Sequence, residues 1–177
     1  MPPEIDDRVY MRSELPRELE IQVLAFARIL WDDTAAGDDR LRDRLDDDRE
    51  GVHFVRAAGN VLVSHVEVIP VDVEESQGRT MRIGGVGGVM TYPAFRGEGH
   101  ASALMRKAGE HIRGDRFDFD IGMLFCDPEN ASFYSRLGWK PLASERVLVD
   151  GSNSQEMIMT LGDPSALPPV LHLTWTW

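Results

Sequence analysis

Two segments carry residues whose types and spacing could do chemistry. Arg96-Gly97-Glu98-Gly99-His100-Ala101 is a glycine-rich loop that follows Pro93 and runs into an amphipathic stretch. Where a strand, a proline turn and such a loop lead into a helix, the unpaired N–H groups of the first turn and the helix dipole form an anion site. Glycines let the backbone approach a diphosphate without interference from Cβ, and Arg96 adds a positive charge beside it. The loop is not a P-loop, because no Lys-Ser/Thr pair follows its last glycine. It also lacks the third glycine of a dinucleotide fingerprint. The second segment runs from Asp127 to Trp139 and places Tyr134 four residues after Asn130 and four before Gly138. Tyr134 is either a working phenol or a tyrosine that only packs.

Other reactive types are weaker candidates. His65 and Glu67 are two apart in an apolar strand, so they share a face. Glu67 is a candidate general base, or both are surface residues of an antiparallel sheet. Cys126 ends a continuous apolar strand and reads as a buried structural thiol. His100 reads as solvent-facing. The histidines, His53, His65, His100, His111 and His172, lack metal-ligand spacing, so no metal is expected.

The elements that must position these groups follow from periodicity and punctuation. Arg8 to Arg12 predicts a strand. Pro16 opens a helix with Leu19, Val23, Phe26 and Leu30 as its apolar stripe. Asp38 to Asp48 predicts a second, exposed helix. Val52 to Ala57 and Val61 to Val71 predict strands around a Gly59-Asn60 turn, the second with one buried face. Asp72 to Arg79 connects to a strand over Met81 to Thr91, whose Gly84, Gly85, Gly87 and Gly88 suggest a bulge or a close approach. Gly99 to Arg113 predicts a helix, Phe119 to Cys126 a central strand, and Asp127-Pro128 the capped start of a helix reaching Leu137. Phe133 and Leu137 are expected on the core, with Asn130 and Tyr134 turned elsewhere. Val147 to Asp150 and Gln155 to Leu161 predict a final strand pair.

Composition bounds the rest. The chain has 177 residues, 42% hydrophobic and 28% charged, with a formal net charge of −11. That suits one soluble domain and disfavours nucleic acid or an anionic membrane as partner. It suits a cationic small-molecule amine. No run reaches the length of a membrane span, and Met1-Pro2-Pro3-Glu4 does not open like a secretory signal. The lone cysteine excludes an internal disulfide and suits a cytoplasmic location. A homodimer stays open.

Arg96 to Ala101 fits, position by position, the cofactor loop of the Gcn5-related N-acetyltransferase (GNAT) superfamily. Asn130-Ala131 through Tyr134 to Gly138-Trp139 resembles that family's second signature, and the likeness spans roughly residues 50–142. It implies a single-domain α+β fold. The central sheet would be mixed and mostly antiparallel, with helices on both faces, splayed between its two central strands near Val89 and Cys126. It implies acetyl-CoA as co-substrate, held by Val89, Thr91, Arg96, Gly97, Glu98, Gly99, His100, Ala101, Asn130 and Tyr134. It implies Tyr134 as general acid, the Val89 backbone N–H as oxyanion donor, and direct transfer to a small amine in a ternary complex. Many relatives carry a glutamate on the strand before the loop; here Gly84 to Gly88 holds no acid.

The layout is most similar to the aminoglycoside 2′-N-acetyltransferases, through Gly51-Val52-His53, the Arg96-Gly97 loop, Tyr134 to Trp139 and a tail ending in tryptophan. That likeness implies residues 1–163 as the catalytic domain and 164–177 as a tail returning to the acceptor site. Asp32, Asp33 and the Trp177 carboxylate would then meet the cationic substrate. Two departures are plain: Gly87 stands where those enzymes have a glutamate, and Leu171 to Trp177 holds no acid. The other readings are an acyl-CoA-binding regulatory domain without turnover and a protein or peptide N-acetyltransferase.

Overall fold

The structure, a computed structural model, describes residues 4–30, 50–74 and 79–174. Its elements in order are β1 (Ile5–Met11), α1 (Arg17–Leu30), β2 (Val52–Ala58), β3 (Val61–Glu74), β4 (Thr80–Thr91), α2 (His100–Arg113), β5 (Ile121–Cys126), α3 (Ala131–Ser135), β6 (Lys140–Leu142), β7 (Val147–Val149), β8 (Ser152–Asn153), β9 (Met157–Leu161) and β10 (Leu171–Leu173). Seven strands form one sheet in the order β1-β2-β3-β4-β5-β9-β6, and β10-β7-β8 form a second. β4 and β5 pair in parallel, which demands a crossover, and α2 lies in the chain between them. β1 with β2, β5 with β9 and β6 with β9 pair antiparallel. This is the expected α+β fold, a mixed, mostly antiparallel sheet flanked by helices. The expected helix over Asp38 to Asp48 lies outside the described residues.

The chain divides into two compact units, residues 1–67 with 88–104, and residues 68–87 with 105–177. In the first unit, α1 buries Leu19, Val23 and Ala27 on Val55, Ala57, Leu62 and Met90. These spacings of four put one stripe on the core. Leu30, expected on that stripe, lies at the helix end and is exposed. Gln22 ties the helix to the β2–β3 turn. Its Nε2 donates to the Asn60 carbonyl at 2.8 Å, and its Oε1 accepts from the Leu62 N–H at 2.9 Å. β3 departs from the half-exposed strand its alternation predicts, since every residue from Leu62 to Ile69 is buried. A strand with neighbours on both edges and both faces covered need not alternate.

In the second unit the core gathers Met81, Ile83, Ile121, Met123, Ile158, Leu167, Leu171 and their neighbours. Gly84 stands opposite Gly122 in the β4–β5 register. A Cβ at Gly84 would come within 3.0 Å of Ile112, and one at Gly122 within 3.2 Å of both Ile112 and Trp139. The paired glycines therefore let α2 and Trp139 pack close to the sheet. The β4–β5 ladder stops at Gly85 and Met123 although β5 continues to Cys126.

Two expectations for this unit need correction. The helix after Asp127 is only Ala131–Ser135, preceded by a 3-10 turn over Pro128–Asn130, and the Asp127 side chain makes no capping bond. It stops early because the Leu137 and Trp139 N–H groups both turn back to the Tyr134 carbonyl, around Gly138 at φ +89°. Val147 to Asp150 and Gln155 to Leu161 do not pair with each other. β9 enters the main sheet between β5 and β6, while β7 pairs with β8 and β10. Residues 164–173 are held by Arg146, whose guanidinium donates to the carbonyls of Pro164, Leu167, Pro168 and Pro169.

Gly122→Val will overpack the Ile112–Trp139 contact and cost about 1–3 kcal/mol, read as a lowered urea midpoint with an unchanged m-value. A variant as stable as the parent would contradict this packing.

Candidate active site

The glycine-rich loop belongs to the first unit. Gly97 and Gly99 are left-handed, at φ +85° and +83°. An added Cβ at either would meet nothing within 4 Å, so the glycines serve backbone conformation and leave the approach open. The first backbone bond of α2 in this region runs from the Ala103 N–H to the Gly99 carbonyl at 3.0 Å. The N–H groups of His100, Ala101 and Ser102 thus belong to the open first turn of a helix. Arg96 is exposed and its Nε donates to the Thr91 carbonyl at 3.2 Å. The open amides of a helix's first turn, two unhindered glycines and a guanidinium are groups that could hold a diphosphate.

His100 is not solvent-facing as expected; it is 8% exposed. Its Nδ1 lies 3.0 Å from Arg56 Nη1 and its Nε2 lies 3.1 Å from Glu98 Oε2. Arginine can only donate, so His100 accepts at Nδ1 and donates from Nε2 to Glu98. Arg56 is paired in turn with Asp7. A chain from β1 through β2 therefore anchors the loop, and a residue with this pairing is buried because its polar atoms are satisfied.

The end of β4 is fixed from both sides. The Tyr92 N–H donates to the Val63 carbonyl of β3 at 2.9 Å. Met90 is buried in the core under α1, and Phe26 packs on Tyr92 with ring centroids 5.0 Å apart. Ser64 Oγ donates to the Met90 carbonyl at 2.8 Å and lies 2.9 Å from Thr91 Oγ1. N–H groups alternate along a strand, so those of Val89 and Thr91 point away from β3. Gly88 supplies the expected bulge-like feature, at φ +58°.

Glu67 and His65 are neither surface residues nor separate. They are 4% and 0% exposed. His65 Nδ1 lies 2.8 Å from the Gly88 carbonyl, and His65 Nε2 lies 2.9 Å from His53 Nδ1. His53 Nε2 lies 3.3 Å from Glu67 Oε1, and Arg12 Nη1 lies 3.7 Å from the same oxygen. The sequence reading missed His53 and Arg12 as members of this chain. The available signal was His53 set among apolar residues of β2, the same oddity that drew attention to His65.

Tyr134, Asn130 and Cys126 belong to the second unit. The expected facing of α3 is reversed: Tyr134 is buried, while Phe133 and Leu137 are half-buried and Asn130 is exposed. Because α3 ends at Ser135, Leu137 does not continue the face of Phe133. Burial pushes the Tyr134 phenol well above its ordinary value, and Cys126 and Asp127 add to this. The Cys126 thiol, 7% exposed, is pushed up to about 11 by burial, then by Asp127 and Glu156. Asp32, Asp33 and Trp177 lie outside the described residues.

Residues 8–142 match the family described as acetyltransferase (GNAT) domain. No curated protein matches by sequence. Among solved structures, an acyl-CoA N-acyltransferase from Pseudomonas aeruginosa superposes with a TM-score of 0.63 at 16% identity, covering 89% of this chain and 99% of that one. Escherichia coli ElaA gives 0.62 at 17% identity, covering 89% and 99%. A GCN5-related N-acetyltransferase from Kribbella flavida gives 0.52 at 23% identity, covering 77% of this chain but 33% of that one. At these identities the likeness shows the fold.

Cys126 will behave as an inert thiol. With its pKa at about 11, alkylation by iodoacetamide will be slow at neutral pH and rise about tenfold per pH unit between pH 8 and 10. A rate that levels off below pH 9 would contradict this assignment.

Proposed function

The chain belongs to the GNAT domain family of acetyltransferases, and from that premise we propose that it transfers an acetyl group from acetyl-CoA to a small cationic amine. The observation that carries the reading is the Arg96 to Ala101 loop, with Gly97 and Gly99 left-handed and unobstructed ahead of α2. In this reading, N–H groups of residues 97–101 hold the diphosphate. The outward N–H groups of Val89 and Thr91 pair with the pantetheine arm as an added strand would. Acetyl-CoA supplies the activated acyl group.

The Val89 N–H donates to the thioester oxygen as negative charge grows on it. The uncharged amine nitrogen forms the bond to the carbonyl carbon, and the carbon–sulfur bond breaks. Sulfur takes the phenolic proton of Tyr134, and the proton lost by the amine reaches solvent, from which the phenol is restored. No bond to the protein forms. The raised Tyr134 phenol keeps its proton at every pH where the protein would be assayed, the state an acid requires.

The net charge of −11 favours a cationic acceptor. Aminoglycosides are the first class to test, supported by the layout of Gly51 to His53, the loop and the Tyr134 to Trp139 segment.

Thiol release from acetyl-CoA, screened over aminoglycosides, polyamines, amino acids and peptide N-termini, will find at least one accepted amine. Tyr134→Phe will lower kcat about 10- to 100-fold with little change in the KM for acetyl-CoA. In the parent, kcat will rise from pH 6 to about 9 as the amine loses its proton, with no fall there from Tyr134. Coenzyme A binding without release for any amine would leave a binding module and contradict transfer. An unchanged Tyr134→Phe rate would remove Tyr134 as the acid.

A further inference from the structure

The buried chain His65–His53–Glu67 is a group of titratable side chains, among the described residues, that the reaction above leaves unused. Its end is a backbone carbonyl, and that carbonyl belongs to the same peptide group as the Val89 N–H. A carbonyl can only accept, so His65 Nδ1 carries a proton and donates it to Gly88 at 2.8 Å. A neutral His65 then has a lone pair on Nε2, and His53 Nδ1–H donates to it at 2.9 Å. His53 Nε2 lies 3.3 Å from Glu67 Oε1, an electrostatic contact and not an aligned hydrogen bond, and Arg12 Nη1 lies 3.7 Å from the same oxygen. Each link polarises the next, so that the bond to Gly88 is stronger than an isolated one.

The Gly88–Val89 peptide is trans, as are all peptide bonds among the described residues. Its carbonyl and its N–H consequently point in opposite directions. The carbonyl faces His65, so the Val89 N–H faces away from it. The strand alternation counted back from the Tyr92–Val63 bond gives the same direction independently. Drawing electron density toward the carbonyl makes the N–H of the same amide a better donor. Glycines close both ends of the chain. A Cβ at Gly88 would lie 2.9 Å from His65 Cε1, and one at Gly51 would lie 2.7 Å from Glu67 Oε1. Nothing larger fits at either end without moving a member, and Gly88 needs its left-handed φ of +58° as well.

We infer that His65, His53 and Glu67 are positioning residues for the acyl transfer, fixing and polarising the Gly88–Val89 peptide so that its N–H receives the developing oxyanion. This rests on the proposed function for its catalytic consequence, but the polarised peptide is a property of the protein alone. Glu67 then acts through two imidazoles and takes no proton from the amine.

The test uses the full chain labelled with nitrogen-15, in four forms: parent, His65→Asn, His65→Leu and Glu67→Gln. His65→Asn retains a donor where Nδ1 stood but cannot reach His53. His65→Leu removes the donor. Imidazole spectra of the parent will show the His65 proton on Nδ1. The Val89 amide proton will move upfield in all three variants, most in His65→Leu, while the amides of Leu19 and Val23 on α1 hold still. In thiol-release assays with an accepted amine, His65→Leu will lower kcat about tenfold or more with the KM for acetyl-CoA unchanged. His65→Asn will recover part of that loss. A folded His65→Leu or His65→Asn variant with an unmoved Val89 amide overturns the inference, as does full kcat in His65→Leu. If the amide shifts as stated but the parent releases no thiol with any amine, the positioning chain stands and acetyl transfer fails.

Discussion

A single peptide group, Gly88–Val89, meets two demands at once. Its carbonyl is taken by a buried histidine, which leaves its N–H directed away from β3. Only a glycine can satisfy both, because the backbone there is left-handed and the space for a Cβ is filled by His65. The surrounding first unit is arranged to hold that group still. Met90 is clamped in the core beneath α1, Tyr92 is bonded to Val63, and Ser64 holds the Met90 carbonyl. The same strand delivers the chain through Pro93 into the loop, so the outward Val89 N–H and the loop amides are set by one element.

The second unit holds Tyr134, the proposed acid, in surroundings that keep its phenol neutral. Tyr134 is buried on a helix of one turn and a half, and its environment favours the neutral phenol. The shortness of α3 follows from the return of two N–H groups to the Tyr134 carbonyl. Tyr134 thus also terminates its own helix. Cys126, though close in sequence to this turn, is held as a thiol by the same kind of burial.

Much of this was legible from residue order alone. The loop announced itself because glycine, proline and arginine have few reasons to occur together ahead of an amphipathic helix. The order of most helices and strands along the chain followed from periods of two and near four, and the family resemblance implied the sheet they form. What escaped was whatever depends on contacts distant in sequence. His53 and His65 are twelve residues apart on neighbouring strands, bonded across them, and spacing does not reveal such a pair. His100 looked exposed because its neighbours are exposed, yet Arg56 from β2 draws it inward. The final strands were found but mis-paired, since two short apolar runs do not state which sheet each joins. α3 was predicted too long because how much of the chain ahead of Gly138 stays helical depends on the backbone return to Tyr134.

The central claim is that main-chain amides of the loop, with the outward edge of β4, hold coenzyme A. Titrating the nitrogen-15-labelled protein with coenzyme A measures this directly. The account predicts saturable shifts concentrated at the amides of residues 97–101, Val89 and Thr91. Saturable binding that leaves those amides unmoved, or no binding at all, would contradict it.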